Sequence, residues 1–178
     1  MPRKILNDEL GRLSVEEFKA APKNEIVVIL DNIRSRNNVG SVFRTADAFL
    51  VKEIILGGIT PIPPHRDIYK TALGATDSVN WQHSNDLNAF IENLKKIGYK
   101  VYAIEQVEQS ISLSDFTVKA NEKVAIIFGS EVGGVHQELV DLVDASVEIP
   151  QFGTKHSLNI SVSVGVVLWE ILKQMKSA

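Results

Sequence analysis

Apolar residues fall into two kinds of segment along the chain. Short continuous runs rich in valine and isoleucine predict buried strands at residues 26–30, 52–56, 100–104, 123–128 and 146–149. Segments with apolar residues three or four positions apart predict helices at residues 15–21, 38–49, 86–97, 135–143 and 159–175. Their alternation indicates an α/β fold, in which a mostly parallel sheet is flanked by helices.

Local signals mark where several of these elements begin and end. Ser14 and Glu17 form a capping-box pattern before the first helix, and Asn38 is a candidate cap for the second. The proline-rich residues 60–66 predict a stiff loop without regular structure. Four apolar residues recur at helical spacing in the last helix: Val162, Val166, Trp169 and Leu172.

Length and composition are those of one soluble globular domain. The chain has 178 residues, of which 44% are hydrophobic and 23% charged. Neither a repeat nor a linker divides it, so we expect a single domain over residues 1–178, with residues 1–24 as a short N-terminal extension. Because no apolar run approaches a membrane-spanning length and acidic residues interrupt the N-terminus, we expect a cytoplasmic protein without membrane contact.

Composition also removes several classes of chemistry. The sequence has no cysteine, which excludes disulfides, thiolate nucleophiles and cysteine-based zinc sites. The four histidines lie far apart and form no i, i+4 pair, so we expect no metal site. A net charge of −3 argues against non-specific coating of nucleic acid but leaves room for a local basic patch.

The first segment with candidate chemistry is residues 32–46. It follows a predicted strand and opens a helix, where free N–H groups and the helix dipole attract anions. Arg34, Arg36 and Arg44 flank this helix start, which makes a phosphate a plausible ligand. A simple capped helix with solvated arginines would explain the same pattern.

The second segment, residues 128–134, lies between a buried strand and a helix and contains Gly129, Gly133 and Gly134. Ligands of open α/β sheets bind at the carboxyl ends of strands, and glycines let them approach the backbone closely. A tight turn without a ligand remains the alternative.

The third segment, residues 149–163, is dense in hydroxyl and amide side chains yet leads directly into an apolar helix. Ser157, Asn159, Ser161 and Ser163 are unfavourable inside a plain helix and suit hydrogen bonds to a ligand or a neighbouring turn. Small residues at a tightly packed helix interface would give a similar pattern.

Three common nucleotide and hydrolase motifs are missing from the sequence. Without G-x-G-x-x-G after a strand, a Rossmann dinucleotide site is not supported. Without a G-x-x-x-x-G-K-[ST] motif or a G-x-S-x-G elbow, neither a P-loop NTPase nor an α/β-hydrolase is supported.

Taken together, the order and spacing of the three segments resemble the three motifs of the SpoU family of SPOUT methyltransferases. The matching residues are Asn38-Val39-Gly40 with Arg44-Thr45-Ala46, then Gly129-Ser130-Glu131 with Gly133-Gly134, and finally Ile149-Pro150, Gly153 and Ser157-Leu158-Asn159-Ile160-Ser161-Val162. The chain has Gln151 where the family usually has methionine, and Val132-Gly133 where the family often has a charged or bulky residue.

This resemblance implies a fold, a cofactor and a reaction. It implies a deep trefoil knot near the C-terminus, formed by the second and third segments, although protein chains are otherwise rarely knotted. It also implies that S-adenosylmethionine binds in the knot, that the chain works as a homodimer, and that it methylates a ribose 2′-hydroxyl of tRNA or rRNA. Val166 and Trp169 could supply part of the dimer contact, although core packing would explain them equally well.

The resemblance also suggests roles for particular residues. We expect Arg44 to hold a substrate phosphate rather than act as a base, because the pKa of arginine exceeds about 12. The residues expected to serve catalysis are Arg44, Asn38, Glu131, Ser157 and Asn159. The residues expected to bind the cofactor are Ala103, Ile104, Glu105, Gly129, Glu131, Gly133, Ile149, Pro150, Gln151, Ser157 and Leu158.

Finer roles follow from the same comparison. Asn38 is expected to fix Arg44 or the RNA backbone, and Glu131 to set its loop or orient Asn159. Candidate RNA contacts are Arg34, Arg36, Arg66 and Lys155. Two other functions stay open: a knotted RNA-binding module without catalysis, and methylation of a base atom rather than the ribose.

Overall fold

A computed structural model describes residues 2–177 of the chain. Seven strands of the described part form one sheet, and their bounds are β1 Asn24–Asp31, β2 Val51–Gly57, β3 Trp81–Ser84, β4 Lys100–Ile104, β5 Ile111–Ser112, β6 Val124–Phe128 and β7 Ala145–Glu148. The helices are α1 Val15–Ala20, α2 Arg36–Ala48, α3 Arg66–Ala72, α4 Ala75–Ser78, α5 Leu87–Lys96, α6 Gln137–Val140 and α7 Ile160–Ser177, after a short 3-10 helix at Asn7–Glu9.

The strand order across the sheet is β3-β2-β1-β6-β4-β7-β5. Each neighbouring pair of these described strands is parallel. The carboxyl ends of all seven strands therefore lie at one edge, and the loops that follow β1, β4, β6 and β7 meet there. This edge is where open parallel sheets bind their ligands.

Both faces of the sheet are buried, which explains why the strand sequences are continuously apolar. Alternate residues of β1 point to opposite faces, since Ile26, Val28 and Leu30 join one core cluster while Val27 and Ile29 join the other. The first cluster packs the sheet against α2 and α7, and the second packs it against α5 and α6.

The predicted mostly parallel α/β architecture is confirmed, and the main strands lie within two residues of their predicted bounds. The capping box of α1 is also confirmed, because Ser14 Oγ accepts from the Glu17 N–H at 3.1 Å and the Ser14 N–H donates to Glu17 Oε2 at 2.7 Å. Strands β3 and β5 were not predicted. Both are edge strands, short and partly exposed, so they lack an apolar run.

The helix predicted at residues 135–143 is wrong in extent, because α6 covers only Gln137–Val140. The N–H of Val135 donates to a Glu105 carboxylate oxygen at 2.9 Å, and the N–H of His136 donates to Asp31 at 2.9 Å. These two residues are therefore held in the preceding loop by distant side chains, and the helix begins after them.

The cap predicted for α2 is also corrected. Ser35 caps this helix by accepting the Asn38 N–H on its hydroxyl at 3.3 Å, and the helix begins at Arg36. Asn38 lies in the first turn instead. Its side chain is consequently free for contacts with other segments.

A polar cluster lies at the amino-terminal edge of the sheet. Glu25 Oε2 accepts hydrogen bonds from Lys52 Nζ at 2.7 Å and from the Tyr99 hydroxyl at 2.8 Å. Burial opposes ionisation of Glu25, but these hydrogen bonds outweigh it and hold the pKa of its carboxyl below the ordinary value. The ionised carboxylate thus stabilises the fold.

We expect Glu25→Gln to lower the free energy of unfolding near neutral pH by at most about 1 kcal/mol, because the pair is partly exposed. A carboxyl group whose pKa is lowered by folding stabilises the protein at pH values above its pKa in the unfolded state, which is about 4.3 for glutamate. This stabilisation is lost as the pH falls through the pKa of the folded state. Urea unfolding of the wild type and Glu25→Gln at a series of pH values should show that the difference between their free energies of unfolding decreases below about pH 4. A difference that stays constant with pH would contradict this account.

Candidate active site

A cleft of about 410 Å³ opens at the carboxyl edge of the sheet. Its walls are the residues that follow β4, β6 and β7, together with the start of α7. The lining residues are Ile104, Glu105, Gln106, Phe128, Gly129, Ser130, Glu131, Val132, Gly133, Gly134, Glu148, Ile149, Gln151, His156, Ser157, Leu158, Ile160 and Ser163. The second and third segments of the sequence analysis therefore form one site.

The glycine-rich loop after β6 is a closed turn. Ser130 and Gly134 exchange two backbone hydrogen bonds, of 3.1 and 2.9 Å. A Cβ at Gly129 would lie 1.9 Å from the backbone carbon of Gly134, so only glycine fits there. Gly134 has a φ of +64°, which also favours glycine. These two glycines are explained by the shape of the loop.

Glu105 fastens this loop to the end of β4. One of its carboxylate oxygens accepts the Val135 N–H at 2.9 Å, and the other accepts the N–H of Gln106 at 2.9 Å. Gly134 lies against the same carboxylate, because a Cβ there would come within 2.1 Å of Glu105 Oε2. Glu105 thus lines the cleft and also holds one of its walls in place.

Asp31 joins the end of β1 to the same loop. Its side chain is almost fully buried, and Oδ2 lies 2.9 Å from the backbone nitrogen and 2.8 Å from the imidazole Nδ1 of His136. Asn32 donates to Oδ1 at 2.7 Å. The sequence analysis did not predict this contact. Asp31 directly follows the predicted strand at residues 26–30, and a carboxylate at that position could have indicated it. The contact fixes the first segment relative to the second.

A chain of polar side chains connects all three segments. Asn38 Nδ2 donates to Glu131 Oε1 at 2.5 Å, and Asn159 Nδ2 donates to Asn38 Oδ1 at 3.3 Å. Asn159 Oδ1 in turn accepts from the N–H and hydroxyl of Ser161 at 2.9 and 2.7 Å. Glu131 therefore reaches Asn159 through Asn38, and we refer to Glu131, Asn38 and Asn159 below as the polar chain.

The structure places most of the residues expected to bind a cofactor in the cleft. Nine of these eleven line it: Ile104, Glu105, Gly129, Glu131, Gly133, Ile149, Gln151, Ser157 and Leu158. Ala103 does not line the cleft, because its side chain is buried in the core between sheet and helix. Pro150 does not line it either, since it lies on the outer side of its loop and is exposed.

Glu148, which ends β7, lines the cleft but was not expected from the sequence. Ser163 in the first turn of α7 also lines it, as a hydroxyl group of the third segment. A carboxylate at the carboxyl end of a strand was again the available signal for Glu148.

Arg44 is not in contact with the polar chain. It lies on α2 six residues after Asn38, and at about 100° per residue the two side chains point to different sides of the helix. It is exposed, and within residues 2–177 no hydrogen bond or ion pair holds its guanidinium. Asn38 therefore does not hold Arg44 in this structure, and its expected role towards Arg44 or the RNA backbone stays a prediction.

The expected RNA-contacting residues are all exposed. Arg34 and Arg36 lie at the start of α2, and Lys155 lies on the loop that borders the cleft. Arg66 opens α3, which packs closely on α2 where a Cβ at Gly40 would lie 2.1 Å from Thr71 Oγ1. Three of the four cations thus belong to segments that build the site.

The described residues also bear on metal binding and on membrane crossing. Between residues 2 and 177, His, Cys, Asp and Glu side chains form no group of three or more that could hold a metal ion. None of the helices in this part of the chain combines the length and apolar character needed to cross a membrane.

Comparison with known proteins gives a consistent result. The sequence model of the SpoU rRNA Methylase family matches residues 25–169. The tRNA (guanosine(18)-2′-O)-methyltransferase of Thermus thermophilus is 29% identical over 170 residues, covering 96% of this chain and 86% of that protein. The 23S rRNA (guanosine-2′-O-)-methyltransferase RlmB of Blochmanniella floridana is 31% identical over 157 residues, covering 86% of this chain and 61% of that protein.

Solved structures agree with the sequence matches. The TrmH/SpoU tRNA modifying enzyme of A. aeolicus superposes with a TM-score of 0.79 at 23% identity, covering 92% of this chain and 81% of that one, and it supports the fold. The AdoMet-bound rRNA methyltransferase of Sinorhizobium meliloti superposes with a TM-score of 0.76 at 28% identity, covering 86% of this chain and 58% of that one. The chain therefore belongs to the SpoU rRNA methylase family and is an S-adenosylmethionine-dependent methyltransferase.

Proposed function

We propose that this protein transfers a methyl group to a ribose 2′-hydroxyl of tRNA or rRNA. The observation that carries the proposal is the polar chain, which joins the three family motifs beside the cleft. The names of the Thermus and Blochmanniella relatives support the ribose as acceptor and RNA as substrate. Methylation of a base atom would need the same cofactor, so the modified atom must be measured.

The cleft suits S-adenosylmethionine in size and chemistry. Ile104, Phe128 and Leu158 offer apolar surface for an adenine ring, while Gln106 and Ser157 offer hydrogen bonds to a polar end. When bound, S-adenosylmethionine supplies an electrophilic methyl group on a positively charged sulfur. Three carboxylates line the cleft and complement that charge: Glu105, Glu131 and Glu148.

In this proposal the polar chain orients the acceptor ribose. Asn38 bonds both Glu131 and Asn159, so the amide groups of Asn38 and Asn159 keep a defined orientation beside Glu131, which lines the cleft. A displacement reaction requires the nucleophilic oxygen to be aligned closely with the methyl group. Ser157 lines the cleft two residues before Asn159 and is placed to contact the same ribose.

Arg44 is assigned to a phosphate of the RNA. An exposed guanidinium without a protein partner in the described part of the chain keeps its donors for a ligand, and its planar fork fits a phosphate. A guanidinium cannot readily accept a proton. The proton of the hydroxyl is therefore assigned to a phosphate oxygen or water.

A test of the function starts from the whole protein, radiolabelled S-adenosylmethionine and separate pools of unmodified tRNA and rRNA. We expect label to enter one pool, and mass spectrometry of the digested nucleosides to find a 2′-O-methyl nucleoside. A base-methylated nucleoside would overturn the ribose assignment. Calorimetric binding of S-adenosylmethionine without transfer to either pool would contradict the proposed RNA substrates. No binding of S-adenosylmethionine would favour a knotted RNA-binding module without catalysis.

We also propose that the second and third segments, residues 128–134 and 149–163, form the trefoil knot implied by the family. The support is the strand order, in which β4 lies between β6 and β7, so the chain crosses β4 between these two strands. It then crosses back, because α7 packs on α2 beside the first core cluster. A crystal structure whose chain trace reduces to an unknotted line would contradict the knot.

A homodimer through α7 is part of the same proposal. Core packing of this helix is provided by Ile160, Val164, Val167, Leu168 and Ile171. Val162, Val166 and Trp169 lie on a more exposed side of α7 than these core residues. The centroid of the Trp169 ring is 6.3 Å from that of Phe49, yet the Trp169 side chain remains 61% exposed. Exposed apolar side chains at helical spacing suit a protein interface.

We expect Trp169→Ser to weaken the dimer at least about tenfold, because a buried aromatic anchor typically contributes 2 kcal/mol or more to an interface. Sedimentation velocity of both proteins over a concentration series measures this. Tyr69→Ser, another exposed aromatic but on α3, is the matched control and should leave the association unchanged. Equal association of the wild type and Trp169→Ser would argue against this interface.

A further inference from the structure

The two most exposed large hydrophobic side chains of the described residues border the same cleft. Phe152 is 98% exposed and Val132 is 89% exposed, while the next values are 65% for Leu6 and Leu73. Val132 lines the cleft on the glycine-rich loop, and Phe152 follows the lining residue Gln151 on the loop after β7. Single exposed apolar residues are common on proteins, but the two most exposed ones at the same site suggest a binding surface.

Phe152 does not belong to the cofactor pocket. Gln151 on one side of it and His156 on the other line the cleft, whereas the Phe152 ring points away into solvent. Phe152 therefore borders the cleft on its solvent-exposed side and does not occupy the place of the cofactor.

The surroundings of Phe152 suit a nucleic acid. Lys155 is exposed on the same loop, Arg34 on the loop after β1 and Arg36 at the first position of α2. The polar chain joins the start of α2 to this site. An aromatic face beside cations is the arrangement that binds single-stranded nucleic acid, because bases stack on the ring while phosphates pair with the cations.

We propose that Phe152 is a positioning residue that stacks on an unpaired nucleobase of the RNA, at or beside the nucleotide whose ribose is methylated. This inference rests on the proposed RNA substrate. Stacking would hold the unpaired nucleotide out of its helix so that its ribose reaches the polar chain. The ring then contributes to RNA binding and to alignment, while cofactor binding does not depend on it.

The test compares Phe152→Leu, which keeps apolar volume without a π-face, with Phe152→Tyr, which keeps the ring. The probe is a fluorescein-labelled single-stranded oligoadenylate, measured by anisotropy beside the same oligonucleotide with abasic riboses. We expect Phe152→Leu to weaken oligoadenylate binding about 5- to 100-fold and Phe152→Tyr to stay within about twofold of wild type. Abasic binding should be equal in all three proteins.

Ile97→Ala is the matched control, since it removes an exposed apolar side chain at the end of α5, just before β4 begins and therefore at the opposite edge of the sheet from the cleft. Equal oligoadenylate binding by Phe152→Leu and wild type, or an equal loss on the abasic probe, would overturn the proposal. So would a loss of S-adenosylmethionine affinity in calorimetry, or a changed oligomeric state in sedimentation. If the wild type methylates neither tRNA nor rRNA yet shows the base-dependent effect of Phe152, the proposed reaction fails while the stacking contact stands.

Discussion

Gly129→Ala is expected to raise the Kd of S-adenosylmethionine at least about 100-fold while leaving the protein folded. The added Cβ would lie 1.9 Å from the carbon of Gly134 and 2.0 Å from the nitrogen of Val135, both of them backbone atoms. Backbone cannot move aside as a flexible side chain can, so the bridge between Ser130 and Gly134 must open. Overpacking of this kind costs about 3 kcal/mol. Because the cofactor binds to the closed loop, closing it again would take this free energy from binding, which corresponds to at least about a 100-fold rise in the Kd.

Gly133→Ala provides the matched comparison in the same loop. A Cβ at Gly133 would meet Ser130 Oγ at 3.5 Å, which is an ordinary contact, so a change in Kd of no more than a few-fold is expected. Isothermal titration calorimetry measures both variants, and circular dichroism checks that each is folded. Similar affinities of the two variants for S-adenosylmethionine would show that cofactor binding does not depend on the closed turn between Ser130 and Gly134.

Arg44→Ala is expected to lower kcat/KM for RNA methylation by about 100- to 1,000-fold, the usual effect of removing a positioned charge-stabilising donor. Stability and the Kd of S-adenosylmethionine should not change, because the guanidinium is exposed and makes no hydrogen bond with residues 2–177. Steady-state kinetics with the labelled cofactor, calorimetry and thermal unfolding provide the three readouts.

Arg44→Lys separates the two roles considered for this residue. Lysine keeps the charge but lacks the planar fork, so an intermediate loss with an unshifted pH–rate profile is expected if Arg44 holds a phosphate. A profile shifted towards lower pH would instead indicate that Arg44 itself loses a proton. Near-full activity of Arg44→Lys would exclude positioning through a bidentate contact.

The fold was predictable where burial alone determines the sequence. Strands β1 and β6 lie in the middle of the sheet and are apolar along almost their whole length, whereas β3 at the edge carries half-exposed polar residues and gave no signal. The last helix shows a further limit. It has apolar residues on more than one side, so helical spacing could not distinguish Val166, which is exposed, from Val167, which is buried.

The site was predictable as a set of segments but not as a set of contacts. Family resemblance identified Asn38, Glu131 and Asn159, yet the hydrogen bonds between them join residues 93 and 121 positions apart. Such pairings depend on the complete topology and leave no local pattern. Local sequence likewise did not show that Ser35 and not Asn38 caps α2. This assignment depends on the hydrogen bond from the Asn38 N–H to the Ser35 hydroxyl.

The polar chain has a consequence for biosynthesis. Its three members come from the beginning, the last third and the end of the chain, so a nascent polypeptide whose α7 has not left the ribosome lacks Asn159's contact with Asn38. Sites closed by contacts of such long sequence separation form late, because the loop-closure entropy must be overcome first. Methyltransferase activity is therefore expected only after α7 has packed against the rest of the fold. A truncated or incompletely folded product should be inactive and not partly active.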